Sequence, residues 1–356
     1  MQLEHKADFD DAAAQWIKFW QGTNTRPAVS AVRPKKGVKP VEKPPYASGS
    51  QGDFAPIIDQ LLAWAETHEF LADAIPFYYL EFGADHFAAL LGADLTFTPG
   101  DPAGWAVPCV PDLASAEIRF DRSGTWWQRT VEFAQALRAR CDGRVMIAAN
   151  TLVSNLDALA ALHGSQNLLM AMVETPDAVH RALAQIDKAH GEVLTALGEL
   201  LGYREQGSIT RHGMYARGPI NVPQCDFSCM ISPEMFREFV VPYLRQEMRR
   251  YDGVEYHLDG PDAIRHLEAL CGLPELDVIQ WVPGTGNPEK QDWTLLFDRI
   301  DALGKGQIRG GKPADVCRIW QQYRSRAIFF GLQAESQTEV EDCLAALETA
   351  TSKKPA

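Results

Sequence analysis

Val254-Glu255-Tyr256-His257-Leu258-Asp259-Gly260-Pro261 reads as a β-strand that runs straight into a helix. Side chains on a strand alternate between faces, so Glu255, His257 and Asp259 share one side. Three polar groups on one face of an interior strand are costly unless they line a polar site. Gly260-Pro261 lets the chain turn sharply and open a helix that ends at Gly272. The same strand-then-helix order recurs along the chain. Candidate strands are Phe77–Leu80, Glu117–Phe120, Val145–Ala149, Gly213–Arg217, Val254–Leu258, Val278–Val282, Gln307–Arg309 and Ala327–Leu332. Repetition of strand and helix implies parallel strands with helical crossovers. About eight such strands predict a (β/α)8 TIM barrel. An open doubly wound sheet is the alternative, but no GxGxxG follows the first strand to support a dinucleotide site. In a barrel, His257 and Asp259 point inward, with Asp259 nearest the C-terminal rim where barrel enzymes place their chemistry.

Outward from this centre the punctuation is clear. Thr175-Pro176-Asp177 opens a helix that Gly202 closes, and Ser232-Pro233-Glu234 opens another with Ser as cap. Near the start, Phe9, Ala13, Trp16 and Trp20 recur at helical spacing and predict a helix over Phe9–Gln21, capped by Asp8 and ended by Gly22. The stretch Arg33–Asp53 is rich in Pro, Lys, Gly and Ser and carries few large apolar residues. It predicts a flexible or extended loop. The expected organisation is an N-terminal helical extension over residues 1–32, the loop over 33–53, and the barrel over 54–350.

Composition narrows the function. Lys plus Arg is 34 and Asp plus Glu is 47, a net charge of 34 − 47 = −13. Such a surface repels phosphate backbones and anionic lipid, which argues against nucleic-acid and membrane partners. No signal-peptide pattern opens the chain and no apolar run approaches a membrane span. Seven scattered cysteines without a CxxC fit a reduced, cytoplasmic protein. Cys225 and Cys229 are read as packed thiols rather than metal ligands.

Several residues could carry chemistry besides His257 and Asp259. Asn150 follows the strand Val145–Ala149 and could reach the mouth. Gln280 and Trp281 end a strand before the Gly284-Thr285-Gly286 turn, with Trp281 a candidate pocket wall. Gly310-Gly311-Lys312 could bind an anion through backbone N–H groups. His212 precedes a strand and could approach the pocket, whereas the histidines in helical stretches are read as core or surface.

The ordered set Leu156-Asp157-Ala158-Leu159, Thr175-Pro176, Asp226-Phe227-Ser228, Ile231-Ser232-Pro233, Phe236, Phe239, Pro242-Tyr243, His257-x-Asp259-Gly260 and Ile279–Gly284 resembles the uroporphyrinogen decarboxylase superfamily, particularly its corrinoid- and zinc-dependent methyltransferase branch. The resemblance implies a barrel with a deep central pocket and places Asp226 at the site. It also implies a zinc held by His-x-Cys and a second Cys. Here Asp259 stands where the first Cys would be, and Gly331–Ser336 has none. A set of His257 and Asp259, completed by Glu255, Gln333 or Glu335, is harder than a thiolate site; it can still hold Zn²⁺, or it can work without a metal as an acid/base pair. It suits a substrate bound through oxygen. The resemblance thus implies methyl transfer between a small methylated compound and a corrinoid (cobalamin) or corrinoid protein. Two rivals are a decarboxylase or other lyase acting on a small carboxylate, and a non-catalytic binding barrel. The tetrapyrrole decarboxylase itself fits less well, because only Arg26 and Arg33 stand where an Arg-rich segment is expected.

Overall fold

The computed structural model describes residues 2–101, 103–284, 286 and 290–351; Thr285 of the Gly284–Gly286 turn lies outside them. The chain is a mixed α/β protein whose principal sheet has six strands, mostly parallel. In chain order the strands are β1 Ala28–Pro34, β2 His68–Ala72, β3 Phe77–Tyr79, β4 Asp94–Phe97, β5 Gly104–Val107, β6 Met146–Ala148, β7 Ser208–Ile209, β8 Tyr215–Ala216, β9 Glu255–Asp259, β10 Val278–Val282, β11 Gly306–Gly311 and β12 Ile328–Leu332. The large sheet runs β2-β1-β12-β11-β10-β9, with β2 alone antiparallel at its edge. β3 and β6 form a separate parallel pair, and β4/β5 and β7/β8 are antiparallel pairs.

From β9 to β12 each strand leads through helix to its parallel neighbour. The connections are Pro261–His266 with Leu267–Cys271, then Thr294–Ala302, then Pro313–Gln322. The strand ends of β9 to β12 and β1 therefore point the same way. Apolar side chains on the helix side of these strands, such as Tyr256, Leu258, Ile279 and Trp281, are buried in the main core. A second core joins Ala28, Met146, Ile209, Met214, Val278 and Phe329 to Phe9, Trp16 and Phe19 of the first helix. That helix spans Phe9–Trp20. Asp8 does not cap it through its side chain, which instead accepts from buried Lys6 Nζ at 2.8 Å.

Seven of the eight sequence-predicted strands are present; Glu117–Phe120 has no strand partner and stays irregular. The reading of residues 1–32 as a helical extension needs correction, because β1 begins at Ala28 and pairs with both β12 and β2. The 33–53 segment is exposed over much of 35–42, as its composition requires, but its second half is anchored. Tyr46–Gln51 forms a 3₁₀ helix in which Ala47, Gly49 and Ser50 are buried. Tyr78 Oη donates to the carbonyls of Pro45 and Tyr46 at 2.9 and 3.1 Å, and Lys43 Nζ sits 3.9 Å from the Phe77 ring centroid. No helix among the described residues is long and apolar enough to cross a membrane.

Candidate functional site

The polar face of β9 meets the segment before it in sequence. Gln224 bridges in parallel to His257, which brings Asp226 beside the C-terminal end of β9. Both oxygens of half-buried Asp157 accept backbone N–H groups, from Phe227 and Asp226, each at 2.8 Å. This clamp fixes the turn that presents Asp226. On β9 itself, Asp259 is followed by Gly260 at φ +78°, which turns the chain away as soon as the carboxylate has been placed. Ligand-competent atoms of Asp226, His257 and Asp259 then lie within 4.8 Å of one another.

The surroundings orient these groups. β10 is in register with β9, so Gln280 stands opposite His257. Its Oε1 makes a short bond to His257 Nδ1, and its Nε2 lies 3.5 Å from the Trp281 carbonyl. With Nδ1 donating to that oxygen, the lone pair is on Nε2, which has no hydrogen bond among the described residues. Burial, reinforced by Arg211, pushes the His257 pKa down to about 4. The imidazole is thus neutral at pH 7 and able to act as a ligand. Asp226 is exposed, whereas His257 and Asp259 are half-buried. Desolvation raises both carboxyls; Asp226 is raised further by Asp157 and Asp259, and the Arg211 charge acts in the opposite direction on each. Asp259 Oδ1 is buried with no hydrogen-bond partner among the described residues. Clustered carboxylates with an orphaned oxygen and a tautomer-fixed imidazole form a donor set that fits a divalent cation preferring O and N ligands.

Two neighbouring cavities open here. One, of about 310 Å³, is lined by Tyr46, Tyr79, Glu81, Arg211, His212, His257 and Gln280 among others. The other, of about 500 Å³, includes Asp85, Trp105, Asp157 and Asp226. They share Ala84, Val153 and Gln224 and so adjoin. Part of the polar lining of the smaller cavity comes from strand ends or just beyond them. Glu81 lies two residues past β3, and Arg211 and His212 follow β7. A larger groove of about 960 Å³ runs along the helix Pro176–Leu201 by Arg217 and Arg250, but none of the clustered groups reaches it.

A hydrogen-bond chain links the cavities. Gln224 Nε2 donates to Asp226 Oδ2 at 3.0 Å, and Gln224 Oε1 accepts from Arg211 at 3.2 Å. Arg211 also reaches Thr151 Oγ1 at 3.5 Å, and the Thr151 N–H donates to Glu81 Oε2 at 2.9 Å. Glu81 is buried, and desolvation pushes its pKa up to about 7.

Of the sequence-predicted residues, His257, Asp259, Asp226 and Gln280 come together. Glu255 does not join them: it is fully buried and accepts from His212 Nδ1 at 2.9 Å. Trp281 is on the opposite face of β10 and packs edge-on against Trp293 in the core, so it is not a pocket wall. Asn150 is wholly buried and lines neither cavity; its carbonyl accepts from Asn221 Nδ2 at 3.0 Å. Gln333 is exposed beyond β12 and lines neither cavity; its backbone N–H donates to the Gly311 carbonyl at 2.9 Å. Arg26 is committed to a bidentate pair with buried Asp73 at 2.6 and 2.8 Å, so it is not free to hold a substrate carboxylate. Glu81, Arg211, Tyr46 and Tyr79 were not singled out from sequence; the acid inside the apolar run Phe77–Phe82 was the available signal for Glu81.

No protein-family model matches the chain, and no curated protein matches it.

Proposed function

We propose that the chain closes as a (β/α)8 barrel of the uroporphyrinogen decarboxylase type and that its cleft transfers a methyl group from a small methylated oxygen compound to a corrinoid, held by a partner protein. The observation that carries this reading is the convergence of Asp226 with His257 and Asp259 of β9, with Gln280 fixing the histidine tautomer. Barrel closure is supported by the second core, in which inward residues of β1, β6, β7, β10 and β12 pack together although these strands belong to three sheets.

Asp226, His257 and Asp259 would hold the cation. Bound there, zinc would polarise the substrate oxygen and stabilise negative charge on it. With a reduced corrinoid as co-substrate contributing the electron pair, the methyl–oxygen bond would break and the methyl group would pass to the corrinoid. The oxygen leaves with the bonding pair and takes a proton. Glu81, which lines the smaller cavity with His257, would supply it; burial raises its pKa to about 7. Cavities of about 310 and 500 Å³ suit a small substrate. The much larger macrocycle would meet it from the mouth.

Arg211 beside Glu81 favours a second reading, decarboxylation of a small carboxylate with Glu81 returning a proton to the carbanion. One experiment separates the two. The purified protein is titrated with Zn²⁺ and then assayed anaerobically with cob(I)alamin and a panel of methoxy compounds and methylamines, following the visible spectrum and carbon dioxide release. Stoichiometric zinc, lost in His257→Ala, together with substrate-dependent cobalamin methylation is expected. Carbon dioxide release without methylation selects the lyase, and turnover unaffected by loss of His257 removes both.

A further inference from the structure

Arg211 is the only arginine or lysine among the described residues lining the smaller cavity, and its charge is not matched by direct contact with an acid. One N–H reaches Thr151 Oγ1 at 3.5 Å and another reaches Gln224 Oε1 at 3.2 Å; both acceptors are neutral. A guanidinium carries five N–H donors, so 5 − 2 = 3 lack a protein acceptor among the described residues. The nearby acids are otherwise engaged. Glu255 pairs with His212, and Asp226 and Asp259 belong to the cation site of the proposed function. Glu81 faces the same cavity, but it accepts from the Thr151 N–H and forms no ion pair with Arg211. With a divalent cation in place, the cavity presents a positive group with spare planar donors.

The wall beside it is aromatic. Tyr46 and Tyr79 stack with ring centroids 5.0 Å apart and planes 16° from parallel. Tyr46 keeps 38% exposure despite this stacking, so its ring is not wholly covered. Arg211 and Asp226 are separated by a single Gln224 amide and two hydrogen bonds.

We propose that the substrate is a planar aromatic carboxylate, its carboxylate taking a two-bond fork from Arg211 and its ring lying against the Tyr46–Tyr79 wall. Guanidinium and carboxylate match as planar forks, and offset stacking on tyrosine selects flat rings over aliphatic chains. This rests on the cleft being the active site, as proposed above, and narrows the substrate class.

The test is calorimetric binding of 4-methoxybenzoate and its neutral counterpart 4-methoxybenzamide to the full chain with Zn²⁺ present. The acid is expected to bind about 10- to 100-fold more tightly than the amide, the scale of a charge-assisted bond. Arg211→Gln should abolish that preference and Arg211→Lys retain part of it. Tyr79→Leu should weaken both ligands by a similar factor. The wild-type comparison needs no variant to fold; near-UV circular dichroism checks those that are used. Equal affinity for acid and amide, undetectable binding of the acid, or a preference that persists in folded Arg211→Gln overturns the proposal. If the preference holds but no methyl reaches cobalamin, the methyl-transfer reading fails and this inference stands. If a simple methyl compound is turned over but the acid is not preferred, this inference fails alone.

Discussion

Replacing Gln280 tests the site without touching a ligand. Gln280 Oε1 is the acceptor for His257 Nδ1, and the register of β10 against β9 holds the two side chains opposite each other. Gln280→Leu keeps the approximate volume and removes the acceptor. Nδ1–H is then left unsatisfied in a half-buried ring, and neither tautomer nor orientation is fixed. Losing such a supporting bond reduces metal affinity by about 10- to 100-fold, or about 1.4–2.7 kcal/mol. Gln280→Glu acts in the opposite direction, because a carboxylate facing Nδ1 makes Nε2 more basic. Zn²⁺ affinity measured by competition with a chromophoric chelator at neutral pH should therefore rank Glu above Gln above Leu. In the metal-free protein, Gln280→Leu should also lower unfolding stability by about 1–3 kcal/mol, the cost of an unmade buried bond. Equal affinity in wild type and Gln280→Leu, or weaker binding in Gln280→Glu, would refute the assignment of His257 Nε2 as a ligand.

Two further predictions concern the frame around the cleft. Buried His86 accepts from the Phe82 N–H at Nδ1 and contacts Thr130 Oγ1 at 2.9 Å, and desolvation pushes its pKa down from 6.5 to about 3. Its folded pKa is depressed, so the unfolded chain binds the extra proton; the stability contribution is full above about pH 6.5 and is lost as pH falls towards 3. At about 1.4 kcal/mol per pH unit, roughly 2–3 kcal/mol is gone by about pH 4.5, so the destabilisation caused by His86→Gln should shrink by about that amount between pH 7.5 and 4.5 in urea unfolding. An unchanged difference would show that His86 titrates alike in both states. Gly49→Ala should cost about 1–3 kcal/mol and weaken aromatic ligand binding, since its Cβ would fall 2.2 Å from Phe133 Cε1 and lever out the segment carrying Tyr46. Wild-type melting temperature and ligand affinity in that variant would remove the anchor.

What the sequence made legible was the part governed by local periodicity. Strand alternation placed Glu255, His257 and Asp259 on one face, and that is where they are. Alternation fixes a face but not a depth: at about 3.3 Å per residue, Glu255 lies about 13 Å along the strand from Asp259 and cannot share its cation. His212 takes Glu255 instead, and Asp226 completes the cluster from a separate segment. The same rule already implied that Gln280 and Trp281 could not both face the pocket, and burial decides for Gln280. Glu81, Thr151 and Arg211 follow β3, β6 and β7 and meet only through the topology, so no local motif announces them. β7 and β8 contribute two residues each, too few to show a period. The 33–53 segment was hard to read for a different reason. Low apolar content describes most of it, yet a few contacts decide its position: Lys43 over Phe77, Gly49 against Phe133, and Tyr46 stacked on Tyr79. Composition averages over such anchors. Here it concealed the residue that forms one wall of the smaller cavity, so the loop expected to be solvated is also the one on which ring recognition depends.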